Sequence, residues 1–85
     1  MIIDKEVREK IITVLTETAG SSYARKMIPV GNTLLEIEIA GMAVTYTRID
    51  GVDLFGHPVE EDITEAVTAA MESDLGWMAS LGGGV

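Results

Sequence analysis

The sequence predicts a single small α+β domain of order α-β-β-β(-β)-α, an antiparallel meander with both helices on one face. Three observations carry that expectation. Apolar and polar residues alternate from Thr33 to Ile49 (TLLEIEIAGMAVTYTRI) around one glycine, the pattern of two half-buried strands joined by a tight turn. Segments before and after this region repeat apolar residues at spacings of three and four, the period of a helix face. Two hairpins, read independently, place their apolar residues on the same side of the sheet.

The first helix is expected to start at Asp4, whose carboxylate suits an N-cap, and to stop near Gly20. Ile3, Val7, Ile11, Val14, Leu15 and Thr18 form its stripe. Ile11, Ile12, Thr13, Val14, Thr16 and Thr18 are all β-branched and lose rotamer freedom in a helix, so packing on the sheet must hold it. SSYARK, residues 21–26, reads as a polar connection with Tyr23 against the sheet edge. Its hydroxyls and its two adjacent bases are donors to anions, but no glycine-rich phosphate loop precedes them.

A strand from Lys26 to Val30 follows, and Gly31-Asn32 is a suitable two-residue loop pairing Val30 with Thr33 and Ile28 with Leu35. Pro29 has no N–H to give a ladder, which makes this an edge strand with Pro29 facing outward. For the second hairpin, a loop at Ala40-Gly41 pairs Ile39 with Met42, Ile37 with Val44 and Leu35 with Tyr46. Ile28, Val30, Leu35, Ile37, Ile39, Met42, Val44 and Tyr46 then share the inner face. The outer face collects Leu34, Glu36, Glu38, Ala43, Thr45 and Thr47, with Met27 of the edge strand beside them, and is the expected docking surface for a second copy or a partner. A slip of one residue would bury Glu36 and Glu38, so the pattern resists it.

Asp50-Gly51 is a turn signal, and VDLF (52–55) is expected to return as a short fourth strand. A plain two-residue turn points Val52 and Leu54 outward; a glycine bulge at Gly51 turns Phe55 inward, and burial of the only Phe favours the bulge. His57-Pro58 is expected to open the last helix, with Glu60, Glu61 and Asp62 at the positive end of its dipole. Its buried stripe is Ile63, Val67, Ala70, Met71, Leu75 and Met78. The helix either ends at Gly76, with Trp77 folding back, or runs on to about Leu81 at a cost of ~1 kcal/mol for the interior glycine. The domain is expected over 1–81, with 82–85 as a flexible glycine-rich tail.

A chain of 85 residues without cysteine has a small core and no disulfide or Cys-based zinc site to support it, which favours a homo-oligomer. Net charge is −8, and its placement is uneven: all six Lys and Arg precede residue 49, whereas eight of the 14 acids follow it. Such a field disfavours direct binding to nucleic acid or an anionic membrane and favours a basic protein partner. The N-terminus lacks the apolar run of a signal peptide, and the cytoplasm is the expected compartment.

No cofactor or metal is expected. His57 is the only histidine, the residue type normally able to exchange a proton near neutral pH, and Asp53, His57 and Glu61 sketch a metal site or a general base, but their spacing matches no zinc, EF-hand or facial-triad pattern. The serines sit in no nucleophile elbow. The expected function is therefore non-catalytic protein–protein interaction, as an inhibitor or an accessory subunit of a larger complex. Its binding residues are Leu34, Glu36, Glu38, Thr45 and Thr47 on the wet face of the hairpin, with Asp62, Glu65, Glu72 and Asp74 on the outside of the last helix. The alternatives are an acidic nucleic-acid mimic that blocks a DNA- or RNA-binding protein and a small enzyme using His57.

Overall fold

The computed structural model of the chain describes residues 1–72. A helix, α1 (Lys5–Glu17), leads into four strands, β1 (Tyr23–Val30), β2 (Thr33–Ala40), β3 (Ala43–Val52) and β4 (Pro58–Asp62). A second helix, α2, covers residues 64–72, where the described residues end. The sheet is an antiparallel meander in the order β1-β2-β3-β4. Val7 and Ile11 of α1 and Val67 and Met71 of α2 join Ile28, Leu35, Ile37, Ile39 and Tyr46 in one core, so both helices lie on the same face.

Asp4 caps α1 as its sequence position suggests: its Oδ1 accepts the Val7 N–H at 2.9 Å. The threonines of this helix are accommodated by back-bonding, Thr13 Oγ1 to the Glu9 carbonyl at 3.0 Å and Thr16 Oγ1 to that of Ile12 at 2.8 Å. The expected stripe is the buried one, with Val7, Ile11 and Thr18 enclosed and Ile3, Val14 and Leu15 at the margin. Asp4→Ala should lower unfolding stability by about 1 kcal/mol through loss of this cap, measurable as a shifted urea midpoint at constant slope.

The first hairpin has the expected register, with Val30 opposite Thr33 and Ile28 opposite Leu35. β1 starts three residues earlier than expected, because Tyr23 to Arg25 belong to the strand and not to a polar connection. Pairing along the whole of β2, out to Tyr23 opposite Ala40, uses backbone groups that a loop would leave to solvent, and the Ser22 carbonyl continues it by accepting the Gly41 N–H at 2.9 Å.

The second hairpin is offset by two residues from its expected register. Ala40 pairs with Ala43, Ile39 with Val44 and Ile37 with Tyr46, so the loop is Gly41-Met42. The cause is backbone chemistry. Gly41 takes the first loop position at φ +63°, as Gly31 does at +60° in the other hairpin, and among the described residues no side-chain-bearing residue has positive φ. Glycine followed by a residue of negative φ is the order of a II′ turn, which an Ala40-Gly41 loop would have reversed. An offset of two preserves the faces, so the core residues are unchanged except Met42, which sits fully exposed at the turn instead of inside.

The acidic segment departs further from expectation. VDLF is not a strand: Val52 closes β3, residues 53–57 form a loop, and Phe55 is 83% exposed. Asp53 organises this turn, its Oδ1 accepting the N–H groups of Phe55 at 2.8 Å and His57 at 2.9 Å while its own N–H donates to the His57 carbonyl at 2.8 Å. The irregularity at Gly51 exists, with φ +113° and a register shift between Ile49 and Val52, but it bends β3 against β4 and does not carry Phe55 inward.

Pro58 to Asp62 form β4 and not the first turn of a helix. Pro58 is tolerated as the first residue of an edge strand, and an edge leaves three consecutive acids in water as readily as a helix N-terminus does. The helix begins two residues after the last of these acids, where Asp62 Oδ1 accepts the Thr64 N–H at 2.8 Å. Ile63, Val67, Ala70 and Met71 then follow the expected stripe. Leu75, Met78, the alternatives at Gly76 and Trp77, and the 82–85 tail lie outside the described residues.

Candidate functional site

Both helices occupy one face of the sheet, and among the described residues no element covers the other, an open surface built by strand alternation. Cross-strand register arranges it in rows: Arg25, Glu38 and Thr45; Met27, Glu36, Thr47 and Asp62; Pro29, Leu34, Ile49 and Glu60. The five hairpin residues expected here, Leu34, Glu36, Glu38, Thr45 and Thr47, are all on this face. Asp62 joins them, because it ends a strand and does not belong to a row along the last helix. Glu65 and Glu72 are exposed on α2, on the far side of the sheet, and Asp74 lies outside the described residues.

The carboxylates of the face divide into two kinds. Glu36 receives Arg25 at 2.8 Å and Glu38 accepts from the Tyr23 hydroxyl at 3.1 Å, both as diagonal contacts between β1 and β2. Each donor answers the charge beside it: the Glu36 carboxylate raises the Arg25 pKa further, and hydrogen bonding to Glu38 raises that of the Tyr23 phenol. Exposure keeps such pairs worth little in stability, so their role is to fix side-chain positions. At the other end, Glu60 and Asp62 of β4 have no ion pair with any described residue. Asp62 is held below the usual carboxylate range by the Thr64 hydroxyl and backbone N–H.

That shift has a pH consequence. A carboxyl with a lower pKa in the folded than in the unfolded chain contributes stability above the ordinary aspartate range, and the contribution disappears as pH falls through the folded value. Asp62 should titrate below an ordinary Asp when followed by carbonyl-carbon NMR, and Thr64→Val should move it back up.

Met27 lies on this face as expected, opposite Glu36, whereas Tyr23, Arg25 and Glu60 are members that sequence reasoning missed. Tyr23 and Arg25 carry the alternation of β1, but Lys26 falls on the inner parity at the sheet edge and breaks the apolar pattern. Glu60 was assigned to a helix by the Pro-acid-acid sequence, which suits either element.

The corner sketched around His57 is not assembled. Its Nδ1 lies 3.8 Å from Asp53 Oδ2, its side chain is mostly exposed, and Asp53 Oδ1 is occupied by loop N–H groups. Among the described residues no three His, Cys, Asp or Glu side chains gather to hold a metal ion. Among the described residues, an open depression of about 370 Å3 lies between the N-terminal segment and the β1–β2 turn. Another, of about 450 Å3, lies beside Glu61, Ile63 and Ala66. Among the described residues no helix is long and apolar enough to cross a membrane. No protein-family model, curated protein or solved structure matches the chain.

Proposed function

We propose that this chain is a non-catalytic protein-interaction module that docks a basic partner through the open face of its sheet. The observation that carries the reading is the composition of that face. Leu34 and Met27 offer partly exposed apolar area, Glu36 and Glu38 are positioned by Arg25 and Tyr23, and Glu60 and Asp62 supply carboxylates that have no cation partner among the described residues. Apolar contacts give a complex its affinity, and uncompensated charge at the rim selects and steers the partner. An inhibitor or an accessory subunit of a larger complex is the kind of protein this describes. A homo-oligomer belongs to the same reading, since a small cysteine-free core gains stability by association.

Affinity isolation from the source cell tests the docking. A basic protein recovered with the tagged chain should be lost with Thr47→Arg, at the centre of the face, and retained with Glu9→Ala on the outside of α1. Recovery with both variants, or loss with both, removes the open face from the proposal.

A further inference from the structure

The two edges of the sheet differ in a way that matches one to the other. β1 pairs with β2 along eight residues without interruption, and its charges are Arg25 and Lys26 alone. β4 has five residues, and its charges are Glu60, Glu61 and Asp62 alone. An edge strand offers unpaired N–H and C=O groups, and natural sheets prevent unwanted pairing by placing charge there. Here each edge repels its own kind: β1 against β1 would oppose bases, and β4 against β4 would oppose acids. Neither device prevents β1 from meeting β4.

The backbone groups agree with that match. Val30 and Thr33 flank a two-residue loop, so the even residues of β1 bond to β2 and the N–H groups of Tyr23, Arg25 and Met27 point away from the sheet. Pro29, of the same parity, has no N–H to point. On the opposite edge, the Ile63 N–H donates to the Tyr46 carbonyl at 2.9 Å, which assigns the odd residues to β3 and turns the backbone groups of Glu60 and Asp62 outward. These outward residues carry their side chains on the open face, as do Tyr23, Arg25 and Met27. Strands alternate in direction across the meander, so β1 of a copy in the same orientation runs antiparallel to β4 of its neighbour.

We infer that copies of this chain join head to tail, β1 of one against β4 of the next, in the register that sets Arg25 opposite Asp62 and Lys26 opposite Glu61. In that register Met27 meets Glu60 and Ile28 meets Val59. Pro29 then falls opposite Pro58, where the ladder stops because neither has an N–H. The contact is heterologous, so a pair of copies keeps one free edge of each kind, and growth continues to a ring or a filament according to sheet twist. A ladder this short makes the assembly concentration-dependent. This deepens the homo-oligomer part of the proposed function; at each junction Asp62 is taken by Arg25 of the next copy, while Leu34, Thr45, Thr47 and Glu60 keep the open face accessible to another protein.

Sedimentation equilibrium of the purified 85-residue chain from micromolar to millimolar concentration is the test, with circular dichroism to verify folding of each variant. The weight-average mass should rise with concentration past two subunits. Lys26→Glu and Glu61→Lys should each reduce the association constant about fivefold or more, and the two combined in one chain should restore it. Met27→Pro should abolish association, since it removes an outward N–H without touching the β1–β2 ladder. A chain that stays monomeric, an assembly that stops at two, or a double variant no better than the single ones would each overturn the inference. None of these outcomes bears on whether a basic protein docks on the open face.

Discussion

Ile37→Ala is expected to destabilise the fold by about 3–4 kcal/mol. Ile37 is fully buried on β2, opposite Tyr46 of β3, and faces the side of the sheet where Ile11 and Val67 are themselves completely enclosed. Truncation removes three side-chain carbons from a site closed on all sides, so lost transfer energy and a residual cavity add. A domain of this length has total stability on the order of 5–10 kcal/mol, and the variant should lose a large part of it. Urea unfolding followed by circular dichroism would measure the change. Leu34→Ala, on the open face of the same strand and 39% exposed, should cost less than about 1 kcal/mol. Equal losses from the two variants would contradict the assignment of faces.

Thr64→Val is the second large effect, expected at about 1–3 kcal/mol for a change that preserves shape. The Thr64 hydroxyl accepts the Tyr46 N–H at 2.9 Å, in the place where a ladder carbonyl would stand if β4 continued, while the Ile63 N–H takes the Tyr46 carbonyl at 2.9 Å. One side chain therefore finishes the ladder of β3 and lets the chain leave the sheet for α2. Valine offers no acceptor, and the Tyr46 N–H would be left unpaired beneath a helix. Hydrogen exchange at the Tyr46 amide should accelerate in Thr64→Val and stay slow in Thr64→Ser, which keeps the hydroxyl. Unchanged protection in the valine variant would show that this junction is held by packing alone.

Which parts of this structure could be read from the sequence follows from what each pattern encodes. Alternation in TLLEIEIA fixes which residues face the core, because an error of one would bury Glu36 and Glu38. It is silent about an offset of two, and there the left-handed backbone at Gly41 decides, placing Met42 in solvent. The α1 cap and stripe were legible because a carboxylate before a regular apolar repeat has few other uses. The acidic segment was not, because Pro followed by acids suits a helix start and a protected edge strand equally, and only pairing with β3 distinguishes them. Phe55 misled for a different reason: burial of large apolar side chains is a tendency, and the Asp53 hydrogen bonds outweigh it locally. Of the candidate site, the hairpin residues and Met27 were legible, and Tyr23, Arg25 and the β4 contribution were not, since those depended on the strand boundaries.

The braced loop at Asp53 has a practical outcome for the colloidal behaviour of the protein. It holds Leu54 and Phe55 in water at the end of the β3–β4 hairpin, with Asp50, Asp53, Glu60 and Glu61 near in sequence. While those carboxylates are ionised, mutual repulsion keeps one adhesive tip from another. The isoelectric point is about 4.3, and there the net charge that separates the molecules vanishes while the tip remains. Precipitation should therefore set in near that pH, before acid unfolds the core, and Leu54→Ser with Phe55→Ser should postpone it to higher protein concentration.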